Sequence, residues 1–157
     1  PKPQIIAGVM NSNLRQYARR ELKARGKKCK CINCRELWRA HIDPSTAELK
    51  EVKYRSSGGD EYFLSYESGS KLLGYLRLRL DENATVRELK VTGQAADIGK
   101  TGTGVQHMGL GSKLMKIAED KAKNYSKIRV THGPGTRIYY EKLGYKLQDF
   151  YMVKDLS

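Results

Sequence analysis

Two glycines stand two residues apart in the segment QHMGLGS, residues 106–112, directly before an amphipathic helical pattern. Because glycine has no Cβ, Gly109 and Gly111 leave the backbone N–H groups bare at the positive end of the helix dipole. Such a helix start is a natural binding site for an anion. The spacing excludes a P-loop, which needs Gly-Lys-Ser/Thr, and a dinucleotide fingerprint, which needs a third glycine. A tight loop without a ligand explains the two glycines equally well.

Three further side chains could take part in proton transfer. Tyr139 and Tyr140 are neighbours in a short helical pattern, where adjacent positions point about 100° apart, so one ring can pack while the other faces a cleft. A phenol can donate a proton near neutral pH, although both rings could instead be core aromatics. Glu88, in a predicted strand, could act as a general base. The alternative for Glu88 is a weak cross-strand ion pair with a basic neighbour, Arg77, Arg79 or Lys90.

A cysteine knuckle, Cys29, Cys31 and Cys34, has the spacing Cys-x-Cys-x2-Cys. The flanking lysines lower thiol pKa values, so these side chains are good thiolate ligands. Zinc needs four ligands, and His41 is the nearest candidate for the fourth, with water or a group from another domain as alternatives. Three reduced cysteines without a metal remain the other interpretation, and a disulfide is not expected in the cytosol.

The positive charge is concentrated at one end of the chain. The 157 residues carry a formal charge of +13, and residues 1–40 hold 11 Lys/Arg against 2 Asp/Glu. This pattern favours a polyanion partner, with nucleic acid first, over a merely solvated basic face. The candidate phosphate contacts are Arg15, Arg19, Arg20, Lys23, Lys27, Lys28 and Lys30. The sequence has neither a membrane-spanning apolar run nor a signal peptide, so we expect no membrane partner and a cytoplasmic location.

The elements that must position these residues follow from periodicity and turn signals. Apolar spacing predicts a helix over residues 14–25 that Gly26 ends. From residue 48, four strands separated by the turns SSGGD, ESGS and DENA predict an antiparallel meander. A helix from Gly109, a fifth strand, the tyrosine-bearing helix and a last strand or pair follow. We therefore expect a linker with a basic helix and knuckle over residues 1–45, and a catalytic domain over residues 46–157.

This order of elements resembles the GNAT superfamily of acetyl-coenzyme A-dependent acyltransferases. The resemblance implies an α+β fold, with a mixed but mostly antiparallel central sheet flanked by helices. It also implies that the strands VRELKV and KIRVTH splay apart around the acyl-pantetheine arm, and that a tyrosine of the short helix protonates the departing thiolate. The coenzyme site implied in this way comprises Gln106, His107, Met108, Gly109, Leu110, Gly111, Ser112, Leu89 and Val91. His132 has a weaker case as a site residue.

Within that superfamily, the segments CKCINCRE, FLSYE and GTRIYYEKLGY resemble the family of Elongator catalytic subunits, which modify wobble uridine 34 of tRNA. The resemblance implies acetyl-coenzyme A, a zinc ion at the knuckle, and tRNA as partner. It also implies a radical S-adenosylmethionine domain with a 4Fe–4S cluster, whose cluster motif is not in this sequence, and further Elongator subunits if the source is eukaryotic. The first alternative is a protein lysine acetyltransferase with Glu88 as base. The second is a non-catalytic module that senses acyl-coenzyme A or scaffolds tRNA.

Overall fold

The computed structural model describes residues 13–37, 42, 44–92 and 109–156. The chain divides into two compact units between Cys34 and Arg35. Among the sequence candidates, Gln106, His107, Met108 and His41 lie outside the described residues.

The first unit contains the predicted basic helix, α1, Leu14–Ala24. Gly26 follows in the left-handed conformation, with φ +64°. The N–H of Lys27 donates to the Leu22 carbonyl and the N–H of Gly26 donates to the Lys23 carbonyl. These two bonds form a Schellman cap, so the predicted helix and its terminating glycine are confirmed. A single turn, α2, Ile32–Arg35, begins within the knuckle.

The second unit is a seven-stranded sheet with two helices. Short 3-10 turns, Pro44–Thr46 and Pro134–Thr136, precede β1 and α4. The strands and helices are, in chain order, β1 Glu48–Ser56, β2 Gly59–Ser68, β3 Lys71–Leu80, β4 Ala84–Val91, α3 Leu110–Lys121, β5 Lys127–Thr131, α4 Arg137–Lys142, β6 Lys146–Gln148 and β7 Tyr151–Asp155.

The strand order is β1-β2-β3-β4-β5-β7-β6. Every neighbouring pair is antiparallel except β4 and β5, which are parallel. The predicted four-stranded meander is present, and the last segment forms a pair of strands. This mixed, mostly antiparallel sheet with helices confirms the predicted α+β fold class.

Helix α3 packs its apolar stripe on one face of the sheet. Leu110, Leu114, Met115 and Ala118 are buried, and Ile117 beside them is half-buried. Alternate strand residues face this helix because side chains alternate across a strand. Leu114, Met115 and Ala118 form one core cluster with residues of the sheet, which are Leu64, Leu76, Leu78, Ala84, Val86, Ile128, Val130 and Met152. The packing fixes the start of α3 at the edge where β4 and β5 separate. In the described part of the chain, no helix combines the length and the apolar composition needed to cross a bilayer.

Candidate functional site

A β-bulge separates β4 from β5 halfway along β4. Arg77 pairs with Glu88 and Leu78 pairs with Val86, so Arg87 is the extra residue. The pairing of β4 with β5 is limited to Ala84, Thr85 and Val86. Beyond the bulge, β4 continues to Val91 without β5 beside it. The two strands therefore splay apart as predicted, because a bulge bends its strand and interrupts the ladder.

The open stretch of β4 offers backbone hydrogen-bonding groups. The N–H of Thr92 donates to the Leu73 carbonyl of β3. Because backbone groups alternate sides along an antiparallel strand, the N–H and C=O groups of Leu89 and Val91 point away from β3. An extended ligand lying in the opening could bond to them as an additional strand would.

The N-terminus of α3 lies at the mouth of this opening. Gly109 is its N-cap residue, with φ +65° and no side-chain capping hydrogen bond. A Cβ at Gly109 would have no atom of the described residues within 4 Å. The first helical hydrogen bond runs from the Lys113 N–H to the Gly109 carbonyl, at 3.0 Å. The N–H groups of the first turn precede that bond, so an anion could bind to them, and the helix dipole would favour it.

Tyr139 reaches this same helix start. A Cβ at Gly111 would lie 2.6 Å from the Tyr139 hydroxyl oxygen and 3.6 Å from Cγ2 of Val91. Glycine 111 therefore leaves the space that the phenol occupies. Burial raises the pKa of Tyr139, while a hydrogen bond from Ser112 acts in the opposite direction. The phenol is protonated at neutral pH and can donate its proton.

Tyr140 occupies a different environment. Its side chain is 5% exposed and belongs to the core cluster, whereas Tyr139 is 36% exposed. Its ring packs edge-to-face against Tyr139 and Tyr145, with centroids 5.1 and 6.0 Å away. Burial raises the pKa of Tyr140 to about 12. The structure thus separates the tyrosine pair into one residue at the helix start and one in the core.

Glu88 lies on the sheet face opposite the core cluster. Its carboxylate accepts a 2.5 Å hydrogen bond from the Tyr75 hydroxyl and lies 3.7 Å from the Arg77 guanidinium. Tyr75 stacks on Phe63, with centroids 5.4 Å apart. Burial and the Glu88 carboxylate together raise the pKa of Tyr75. Of the expected cross-strand partners, Arg77 is the one that Glu88 meets.

The three knuckle cysteines converge in the first unit. Their Sγ atoms all lie within 4.8 Å of one another, and none forms a disulfide. This spacing is close to that of thiolates sharing one zinc ion, so the donor set fits zinc as three of its four ligands. A hydrogen bond from Arg19 is the largest of the influences that lower the pKa of Cys34 to about 6.

The predicted phosphate contacts do not all have the same surroundings. The side chains of Arg15 and Arg19 donate to cysteine sulfurs, and Arg20 and Lys23 lie on the same helix, α1; all four residues are exposed. Lys27, Lys28 and Lys30 are also exposed. Arg25 is paired with Glu21 at 2.8 Å.

Comparison with known proteins accounts for the arrangement in the second unit. Residues 36–155 match the family described as Acetyltransferase (GNAT) domain. The chain belongs to the GNAT acetyltransferase family.

The chain is also similar along its whole length to longer curated relatives. It is 39% identical to a tRNA uridine(34) acetyltransferase of Methanocaldococcus jannaschii, with 100% of this chain and 33% of the relative covered. It is 38% identical to Elongator complex protein 3 of Homo sapiens, with 100% and 32% covered. A solved structure of archaeal Methanocaldococcus infernus Elp3 with an N-terminal deletion matches with a TM-score of 0.77 and 38% identity, covering 96% of this chain and 41% of that one. The chain therefore spans about a third of the length of these curated relatives.

One feature of this GNAT domain was not expected from the sequence. Glu61, 2% exposed, accepts hydrogen bonds from Arg79 at 3.0 Å and from the bulged Arg87 at 2.9 Å. This buried carboxylate holds the bulge that opens the cleft. The sequence around Glu61 could not predict this role, because both arginines lie on other strands.

A double-mutant cycle tests the contact between Gly111 and Tyr139. Gly111→Ala alone should bring no gain in stability, because its Cβ forces the Tyr139 hydroxyl to move. In a Tyr139→Phe background the nearest remaining contacts are ordinary, at 3.5 and 3.6 Å. There the alanine should stabilise α3 by about 0.5–1 kcal/mol, the usual difference between alanine and glycine in a helix. Urea unfolding of the four proteins measures the coupling, and additive effects would contradict the contact.

Proposed function

We propose that this chain is the acetyl-coenzyme A-dependent acyltransferase domain of a tRNA-modifying enzyme. It supplies the acetyl group for carboxymethylation at C5 of wobble uridine 34. The observation that carries the proposal is the opening between β4 and β5, which lies beside the glycine-capped N-terminus of α3 and beside the Tyr139 hydroxyl. The relatives that match along this whole chain are named tRNA uridine(34) acetyltransferases, which supports tRNA as the substrate over a protein lysine.

The coenzyme is proposed to lie in this opening with its pyrophosphate at the start of α3 and its pantetheine arm along β4. Its pyrophosphate bonds to the N–H groups at the start of α3, where the absent side chains of Gly109 and Gly111 allow close approach. The other proposed contacts with the coenzyme are Gln106, His107 and Met108, which precede α3 in the sequence, and Leu110 and Ser112, which belong to it. The pantetheine arm runs along Leu89 and Val91 and bonds to their outward backbone groups.

Tyr139 then protonates the leaving group. Water adds to the acyl carbon, so a carbon–oxygen bond forms as the carbon–sulfur bond breaks and the carboxyl group of the product is left. The electron pair goes to sulfur and takes the proton of the Tyr139 hydroxyl, so free thiol leaves, and the proton that water loses restores the phenol. The hydrogen bond from Ser112 stabilises the phenolate that remains. Tyr140, in the core, supports the ring of Tyr139 by edge-to-face packing. Glu88 would serve as a general base only if the acceptor were an amine. Its carboxylate already accepts a hydrogen bond from the Tyr75 hydroxyl, so we propose no role for it in the tRNA reaction.

Other parts of the reaction lie outside these residues. Forming a bond between the acetyl methyl carbon and uridine C5 requires radical chemistry, which a 4Fe–4S cluster and S-adenosylmethionine would supply in a separate domain. That domain, and other Elongator subunits in a eukaryotic source, are proposed partners. Zinc at the knuckle, with His41 as a candidate fourth ligand, and a cytoplasmic location are proposed as well. The proposed boundary between the linker and the transferase domain lies between residues 45 and 46.

The tRNA surface is proposed to comprise Arg20, Lys23, Lys27, Lys28 and Lys30, which are exposed in the first unit. Reversing two of them, in Arg20→Glu/Lys23→Glu, should weaken tRNA binding about 10-fold or more. The plot of log K against log salt should lose about 1 unit of slope per phosphate contact removed. Acetyl-coenzyme A affinity should not change. Filter binding at several salt concentrations and calorimetry with acetyl-coenzyme A measure the two effects.

A control variant separates local contacts from total charge. Lys116 and Lys146 are exposed in the second unit, and Lys116→Glu/Lys146→Glu makes the same change in net charge. It should bind tRNA nearly as the wild type does. Equal losses in both variants would mean that only net charge matters.

A separate assay decides between the two proposed acceptors. The release of coenzyme A from acetyl-coenzyme A is measured once with tRNA and once with a lysine-bearing histone-type peptide. Release stimulated by the peptide alone would contradict tRNA modification.

A further inference from the structure

Two arginines of α1 contact the cysteine knuckle. Nη2 of Arg19 lies 3.1 Å from Sγ of Cys34, and Nη2 of Arg15 lies 3.9 Å from Sγ of Cys31. The arginines are four residues apart, so they project from the same face of the helix. Each therefore reaches a different thiol of one cluster.

The two arginine contacts match the negative charge that the cluster would carry with zinc bound. Three thiolates and one Zn²⁺ carry a net charge of −1, and a guanidinium compensates that charge while donating N–H groups to sulfur. Groups that hydrogen-bond to metal ligands fix the ligands' orientation and tune the affinity for the metal. A guanidinium at 3.1 Å from a sulfur is in the position that such a group requires.

We infer that Arg15 and Arg19 are positioning residues of the zinc knuckle and not phosphate contacts of the tRNA surface. The inference rests on the proposed zinc site. It divides the cations of α1 by function: the side chains facing the sulfurs serve the metal, and Arg20 and Lys23 serve the nucleic acid. Arg25, paired with Glu21, belongs to neither group.

Metal affinity of the whole chain tests this division. Arg19→Gln removes the charge, and Arg20→Gln is the matched control, since it makes the same change on the next residue of the same helix. Zn²⁺ affinity is measured by competition with a chromophoric chelator, and Co²⁺ substitution reports the thiolate-to-metal absorption bands. Arg19→Gln should lower the affinity about 10- to 100-fold, the usual effect of removing such a partner. Arg15→Gln should have a smaller effect because its contact is longer, and Arg20→Gln should have none.

A second readout separates the metal from the nucleic acid. At saturating zinc, Arg19→Gln should bind tRNA as the wild type does, whereas Arg20→Gln should bind it more weakly. Equal zinc affinity of wild type and Arg19→Gln would overturn the inference while leaving the zinc site intact. A wild-type chain that binds neither Zn²⁺ nor Co²⁺ would overturn both. A loss of tRNA affinity in zinc-saturated Arg19→Gln equal to that in Arg20→Gln would assign Arg19 to phosphate instead.

Discussion

Replacing Tyr139 with phenylalanine should lower the release of coenzyme A from acetyl-coenzyme A about 10²-fold or more. The change removes only the hydroxyl that lies at the start of α3, and loss of a general acid has effects in this range. The measurement is thiol release in the presence of tRNA, with acetyl-coenzyme A affinity determined separately by calorimetry. The affinity should change much less than the rate, because the hydroxyl acts on the departing sulfur.

Tyr140→Phe is the matched control for this prediction. The two rings are neighbours and pack edge-to-face, but Tyr140 is 5% exposed and lies in the core. Its phenylalanine variant should keep activity within a few-fold of wild type and melt at a similar temperature. Full activity in Tyr139→Phe would refute the role of the phenol as acid. Equal losses in both variants would show that the geometry does not separate the two roles.

Replacing Gly109 with aspartate should nearly abolish coenzyme binding. The carboxylate would stand where the pyrophosphate is proposed to bind, and placing like charges side by side at a binding site costs several kcal/mol, or about 10²-fold in affinity. The fold should tolerate the change, since a Cβ at this position meets no atom of the described residues within 4 Å. Aspartate also adopts positive φ more readily than most residues, and a negative charge suits a helix N-terminus.

Gly109→Asn isolates the charge from the bulk of the side chain. Asparagine has nearly the same shape as aspartate and also tolerates the left-handed conformation. We expect the asparagine variant to bind acetyl-coenzyme A far more tightly than the aspartate variant, as measured by calorimetry at constant ionic strength. If both variants lost binding equally, bulk would be responsible, and the electrostatic assignment of the pyrophosphate to this helix start would fail.

Much of the fold follows from signals that are local in the sequence. The turns SSGGD, ESGS and DENA each join strands whose pairing is antiparallel, and the hairpins they predict are the ones observed. Gly26 and Gly144 end α1 and α4 with positive φ, as terminating glycines do. These features depend on the backbone preferences of a few consecutive residues, so the sequence alone suffices to predict them. The glycine-bearing start of α3 belongs to the same class.

Contacts between distant segments had to come from the tertiary structure. The bulge at Arg87 depends on Glu61, 26 residues away, and the position of Tyr139 depends on the space above Gly111. Sequence spacing predicts that two adjacent tyrosines point in different directions, but only packing determines which of them meets the core.

The basic helix shows the same division. Its sequence predicted that Arg15, Arg19, Arg20 and Lys23 all serve as phosphate contacts, because charge is a property of composition and needs no partner. The contacts of Arg15 and Arg19 with cysteine sulfurs 16 and 15 residues away depend on how the chain turns back after Gly26. Residue types and spacing thus determined which chemistry the chain could perform and where its helices and strands begin and end. The tertiary structure decided which side chain of each candidate group is placed where that chemistry is proposed, since long-range packing sets the distances between distant segments.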